Sequence, residues 1–288
     1  MTRLSRLFAP LGAFGLVACA ALAARAGQPE PWGTGFQPAA STTMEQISSF
    51  NDLLLIIISA VVVFVLGLLL YVMWRFSEGR NPVPSKTSHN TLLEVLWTGI
   101  PVIILVVIAV PSFKLLYYAD RVEEAEVTIK AIGRQWYWSY EYPDDGNFTF
   151  DAYMIPDEDI EEGQVRLLST DNVVVLPVET NIRILVTASD VLHNFAMPSM
   201  GIKLDGVPGK INETWVRITK EGTYYGQCSE LCGTGHSYMP IEIEAVSREA
   251  YDAWVEKAKV EFARVDEPAS PAEPDPVQLA EAESSTAE

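Results

Sequence analysis

The chain has 288 residues, 49% of them hydrophobic, and 20 Lys and Arg against 38 Asp and Glu give a formal net charge of −18. A surface this acidic repels nucleic acid and attracts basic proteins, and the length holds one sizeable domain with additional elements. Of three cysteines, Cys19 lies in an N-terminal segment with the marks of a removable signal, so thiol chemistry concentrates at Cys228 and Cys232.

Arg3 and Arg6 precede an apolar stretch over 7–24, and Ala24-Arg25-Ala26 is a small-x-small cleavage site, so residues 1–26 read as an export signal. Leu16-Val17-Ala18-Cys19 resembles a lipobox and makes lipidation at Cys19 the rival, but the apolar stretch continues past Cys19, which favours ordinary cleavage. Residues 27–120 form a membrane anchor. Two runs in it, about 53–74 and about 93–116, are long enough to span a bilayer. The first has no charge, and the second has Glu94 and Lys114 near its ends. Trp74, Trp97, Tyr117 and Tyr118 lie near the run ends, where amphipathic rings prefer the interface. No Lys or Arg occurs between Arg25 and Arg75, whereas the connecting loop has Arg75, Arg80 and Lys86. The bias of positive charge towards the cytoplasm puts that loop inside and everything after 116 outside.

Residues 121–247 carry a strand pattern. Val127-Thr-Ile-Lys-Ala131 alternates with period two, and runs at 165–176, 183–187, 214–218 and 241–246 are rich in β-branched residues. Turn signals fall at Asp144-Asp145-Gly146, Asp205-Gly206, Pro208-Gly209 and Glu221-Gly222. Short strands with such breaks predict an all-β Greek-key sandwich or barrel. A helix over 248–265 follows, and then a tail over 266–288 with four prolines, seven acids and no basic residue, expected to be disordered.

The run Gly226-Gln-Cys-Ser-Glu-Leu-Cys-Gly-Thr-Gly-His-Ser-Tyr-Met-Pro240 gathers Cys228, Cys232, His236 and Met239. His193, at the end of a strand and ahead of an expected loop at 194–198, is the histidine placed to join them; His89 falls in the connecting loop. Two thiolates, imidazoles and a thioether suit copper better than a hard cation. A disulfide between Cys228 and Cys232 is natural in an exported protein but leaves His236 and Met239 without a role. A Cys2His2 zinc site has no need of the thioether, and a mononuclear blue-copper centre has no use for a second cysteine.

With Gly133-Arg-Gln-Trp-Tyr-Trp-Ser-Tyr-Glu-Tyr142 and Asp190-Val-Leu-His-Asn-Phe-Ala-Met-Pro198, this run resembles subunit II of the haem–copper cytochrome c oxidases over about 46–254. The resemblance implies a two-helix transmembrane hairpin carrying a cupredoxin-like domain with a binuclear copper A centre. Cys228 and Cys232 would bridge two coppers, His193 and His236 would each cap one, and Met239 and the Glu230 carbonyl would be weak ligands. The Glu230 side chain would hold magnesium at the contact with subunit I, and haem would belong to that partner alone. Trp136 would be the ring where the donor's electron enters, with Trp138 on the same strand face. Glu141, Asp144, Asp145, Asp151, Asp171 and Asp190 would form an acidic ring for cytochrome c. Glu94, three residues before Trp97, would take up protons. The implied complex is an aa3-type cytochrome c oxidase in a bacterial inner membrane, its copper domain in the periplasm, assembled with subunit I and other oxidase subunits among membrane lipid. It would oxidise cytochrome c, reduce dioxygen to water and pump protons. A membrane-anchored copper carrier or assembly factor is the alternative reading. No Cys-x-x-Cys-His occurs, so the donor haem is on another protein.

Overall fold

The computed structural model describes residues 27–120 and 124–263; the expected signal with Cys19 and the expected tail lie outside the described residues. Helix α1 spans Thr42–Arg75 and α2 spans Thr91–Asp120. Ser41 starts α1 from an extended backbone, its hydroxyl accepting a hydrogen bond from the Met44 amide at 3.0 Å. At about 1.5 Å per residue a helix of this length reaches about 50 Å, well beyond the ~30 Å hydrocarbon core of a bilayer. It therefore begins eleven positions before the expected 53. Its first turn is not lipid-facing: Thr43 and Met44 are buried against the β domain, a polar environment that a hydropathy run does not register. Most large apolar side chains of the two helices beyond that point are exposed, as suits a membrane anchor.

Residues 27–41, expected within the anchor, run along the β domain instead. Ala40 is in the core, its amide donates to the Ser199 carbonyl at 2.8 Å, and Ser41 bridges to Ile218. The end of α2 is tied to the same domain. Trp215 Nε1 donates to the Tyr118 carbonyl at 3.2 Å, their rings are 5.2 Å apart, and Tyr118 OH reaches Thr42 Oγ1 at 2.9 Å.

Ten strands follow: β1 Val127–Arg134, β2 Tyr137–Tyr142, β3 Phe148–Ala152, β4 Val174–Pro177, β5 Asn181–Ala188, β6 His193–Met197, β7 Ile202–Gly206, β8 Asn212–Arg217, β9 Gly222–Cys228 and β10 Pro240–Val246. They form two five-stranded sheets, β3-β2-β1-β5-β8 and β4-β10-β9-β6-β7. All neighbours are antiparallel except the parallel pairs β1–β5 and β4–β10. Period-two burial is cleanest in β5, where Ile182, Ile184, Val186 and Ala188 point inward. Helix α3, Arg248–Glu261, is capped by Ser247 and turns Tyr251, Val255 and Ala258 inward at helical spacing. Tyr251 OH donates to Asp145 Oδ2 at 2.6 Å, and the Trp254 ring is 5.2 Å from that of Tyr142.

Four local expectations are corrected. The expected loop at 194–198 is mostly strand β6, all five residues of which are buried, so no alternation marks it. Of the expected strand at 165–176 only 174–176 lies in a strand, β4, and Thr170 forms an isolated bridge to Met154; 165–169 is a turn in which the Leu168 and Ser169 amides both donate to the Val165 carbonyl. Asp205-Gly206 ends β7 and pairs with β6 rather than turning. Trp136 and Trp138 do not share a strand face, because β2 starts at Tyr137 and Trp136 sits in the preceding turn.

The sheet carrying the Cys run is tight at Gly226. A Cβ there would collide with the Ala196 carbonyl oxygen and the Met197 sulfur of neighbouring β6. Gly226→Ala should cost about 2 kcal/mol by overpacking, lowering the thermal midpoint of the domain by roughly 5 °C. An unchanged midpoint in a thermal melt would show that β6 and β9 are not so closely apposed.

Candidate metal centre

Two sheet ends and one turn build the site. Strand β9 delivers Cys228 opposite Phe195 of β6, two residues beyond His193. The loop over 229–238 closes where the Cys228 amide donates to the Met239 carbonyl at 3.3 Å. Inside it, Gly233 has φ 123°, a region that favours glycine, and the His236 amide donates back to its carbonyl at 3.2 Å. A short 3-10 turn over His236–Tyr238 then swings the His236 ring towards the cysteines.

The donor atoms converge. Both thiols are free, with Sγ atoms 3.9 Å apart. His193 Nδ1 is 3.8 Å from the Cys228 sulfur, His236 Nδ1 is 3.6 Å from the Cys232 sulfur, and Met239 Sδ is 3.5 Å from the latter. The Glu230 carbonyl is 3.4 Å from the Cys228 sulfur. Ligand atoms of His193, Cys228 and Cys232 lie within 4.8 Å of one another, and all three residues are buried, as is Met239. This soft donor set fits copper.

The far side of His193 fixes its ring. Its Nε2 is 2.8 Å from Asp190 Oδ1, so a proton on Nε2 leaves Nδ1 free to face the cysteines. Asp190 also accepts from the Gln135 and Val191 amides, each at 2.7 Å. Burial would raise the Asp190 carboxyl, but the His193 bond and those two amides bring it below its usual range. The His193 ring lies on Gly133, where a Cβ would come within 2.7 Å of the ring carbons. Trp138, with no exposed surface, packs edge-on at 6.0 Å. Burial alone would raise both thiols. At Cys228 the bonds to His193, to the Asn194 and Glu230 backbone and to His236 overcome it, lowering the thiol to about 6. At Cys232 burial and the neighbouring Cys228 thiolate push the other up to about 12.

Trp136 retains 36% of its surface. Its ring lies over the cysteine loop, in contact with Gly235 so closely that a Cβ there would overlap it, and its Nε1 donates to the Cys232 carbonyl at 3.3 Å. The expected acidic ring is divided. Asp151 accepts from Ser139, Asp171 accepts from the Tyr153 amide at 2.7 Å, and Tyr153 stacks on Tyr137 at 4.4 Å, which places these acids and Asp190 at the Trp136 end. Glu141 pairs with Lys130 at 3.0 Å, and Asp144 and Asp145 sit past the other end of β2, roughly 20 Å away at ~3.3 Å per residue. The Glu230 side chain is exposed. Glu94 lies in the first turn of α2, 2.9 Å from His89 Nδ1. Sequence reasoning missed Gln135, whose side chain also donates to Cys232, and the ring-orienting part of Asp190. The spacing Asp190-x-x-His193 was the available signal for the second.

With metal absent, the thiols should ionise separately. Thiolate ultraviolet absorbance should rise once near pH 6 and again only near pH 12. A single joint rise around the ordinary thiol value of about 8.5 would contradict the paired arrangement.

The family model described as cytochrome c oxidase subunit II, periplasmic domain, matches residues 127–246, and that of the subunit II transmembrane domain matches 29–115. A "probable cytochrome c oxidase subunit 2" of Rickettsia bellii is 55% identical over 230 residues, 80% of this chain and 86% of that one. Cytochrome c oxidase subunit 2 of Arabidopsis thaliana is 50% identical over 232 residues, covering 78% and 89%. Among solved structures, the periplasmic domain of subunit II of cytochrome oxidase (CoxB) of Bradyrhizobium japonicum is 51% identical, with a TM-score of 0.47, covering 50% of this chain and all of that one.

Proposed function

Since the chain belongs to the cytochrome c oxidase subunit II family, a component of the haem–copper oxidase complex, we propose that it receives electrons from cytochrome c and passes them to the haem and copper centres of subunit I. Its cupredoxin-like sandwich would hold the receiving site, and dioxygen reduction with proton translocation would be the work of the assembled complex. The observation that carries this reading is the convergence of two free thiols, two imidazole Nδ1 atoms and a thioether at one buried point. Cys228, Cys232, His193, His236, Met239 and the Glu230 carbonyl would together hold two coppers. When bound, such a pair supplies reversible one-electron exchange.

The chain's own residues prepare that exchange. Asp190 holds the His193 ring in one tautomer and one orientation, so little has to move when charge arrives. Burial of His193, Cys228, Cys232 and Met239 keeps water from the sulfurs. Trp136 offers an exposed ring whose N–H reaches the Cys232 carbonyl, a short route from surface to sulfur. The acids at that end, Asp151, Asp171 and Asp190, would steer a cationic cytochrome c, an attraction that salt weakens. Glu141, Asp144 and Asp145 would contribute only long-range field.

Further roles rest on the family's pattern. The exposed Glu230 carboxylate would bind magnesium together with subunit I, hard oxygen suiting a hard cation. Glu94 would take up protons at the cytoplasmic end of α2, with the sandwich in the periplasm of a bacterial cell and subunit I of the aa3 type.

Electron paramagnetic resonance on the purified complex tests the reading. One unpaired electron shared over two coppers is expected; a single-copper signal would favour a copper carrier, and silence a zinc module. Trp136→Ala should keep that signal while rapid-mixing reduction by ferrocytochrome c slows by about a hundredfold, equivalent to ~2.7 kcal/mol on the barrier. Reduction at the unaltered rate would remove Trp136 from the route.

A further inference from the structure

The turn between β1 and β2 belongs to one sheet, and the cysteine loop extends from the other. Gln135 occupies that turn as an exposed residue, yet its Nε2 is turned inward and donates to the Cys232 carbonyl at 2.8 Å. The same oxygen accepts Trp136 Nε1 at 3.3 Å, so two consecutive side chains fill both of its lone pairs. The main chain of Gln135 points the other way. Its amide donates to Asp190 at 2.7 Å, and Asp190 holds His193 Nε2 at 2.8 Å. A single residue thus ties the Cys232 end of the donor cluster to the His193 end, across the gap between sheets. Gly233 completes the fit, since a Cβ there would come within 3.1 Å of both Gln135 Nε2 and Trp136 Cζ2.

We propose that Gln135 is a positioning residue: its side-chain amide holds the cysteine loop against the Trp136 ring and sets the Trp136-to-Cys232 contact through which electrons are received. The proposal rests on the electron-receiving reading of the site, but its structural half concerns only this chain. The Trp136 bond is the longer of the two, so without Gln135 the Cys232 carbonyl keeps only that weaker donor and the loop is free to lift from the ring. Gln135→Leu removes the donor at similar volume. Gln135→Glu keeps the length but, as a carboxylate, can only accept and repels the carbonyl.

The full chain is first compared without copper, by amide hydrogen exchange. Both variants should speed exchange over residues 229–238 by about tenfold, the effect of losing one hydrogen bond of ~1.4 kcal/mol, while exchange in β5 is unchanged. Exchange at the wild-type rate in both variants overturns the proposal, whatever the copper content. In the assembled oxidase, the first-order electron transfer from bound, photoreduced cytochrome c should slow several-fold in both variants, with KM for cytochrome c unaltered. A raised KM with an unaltered first-order rate would make Gln135 a donor-contact residue and overturn the positioning role. Loss of the shared-electron copper signal in the wild-type chain would instead sink the electron-receiving reading and leave the exchange result standing.

Discussion

Two sulfurs held side by side in a place sealed from water are the constraint around which this molecule is organised. Two thiolates 3.9 Å apart in a buried setting would repel, so ionising both is costly unless cations or donors surround the pair. The fold meets that cost from several directions: ring nitrogens from β6 and from the loop itself, a thioether from the residue just before β10, and backbone bonds at Asn194 and Glu230. Many of the unusual local features serve the same end. Gly133 leaves space for an imidazole, Gly226 lets β9 approach β6, and Gly233 and Gly235 let an indole lie flat on the loop.

The same arrangement explains why the domain is joined so firmly to its anchor. Residues 27–41 lie along the β domain, Ser41 both caps α1 and donates to the Met200 carbonyl at 2.7 Å, and Trp215 grips the last turn of α2. On the proposed electron-receiving role, the site would need a fixed height above the bilayer, because transfer between centres depends on distance. Direct contacts between the helix ends and the domain supply that rigidity more directly than a flexible linker would.

Much of this was legible in the residues. The charge-free run before Trp74 announced a spanning helix, alternation at Val127-Thr-Ile-Lys announced β1, and the spacing of Cys228, Cys232, His236 and Met239 announced a soft-metal loop. What was not legible depended on contacts between distant segments. Strand β6 is buried on both sides and so carries no alternation, which made Asn194-Phe-Ala-Met-Pro198 resemble a loop. The start of α1 is polar because it meets protein rather than lipid, so hydropathy placed it too late. The six acids looked like one ring in sequence, but β2 separates Glu141, Asp144 and Asp145 from the Trp136 end. Gln135 gave no signal of its own in the sequence, because its partner is 97 positions away.

The account stands on the claim that the paired cysteines clasp two metal ions rather than one. Counting copper against protein in the purified chain, after mild loading and removal of loose metal, tests this most directly. Two coppers per chain, falling to one or none when Cys232 is replaced by serine, is the expected result. One copper per chain in the unaltered protein, or two that survive that replacement, would contradict it.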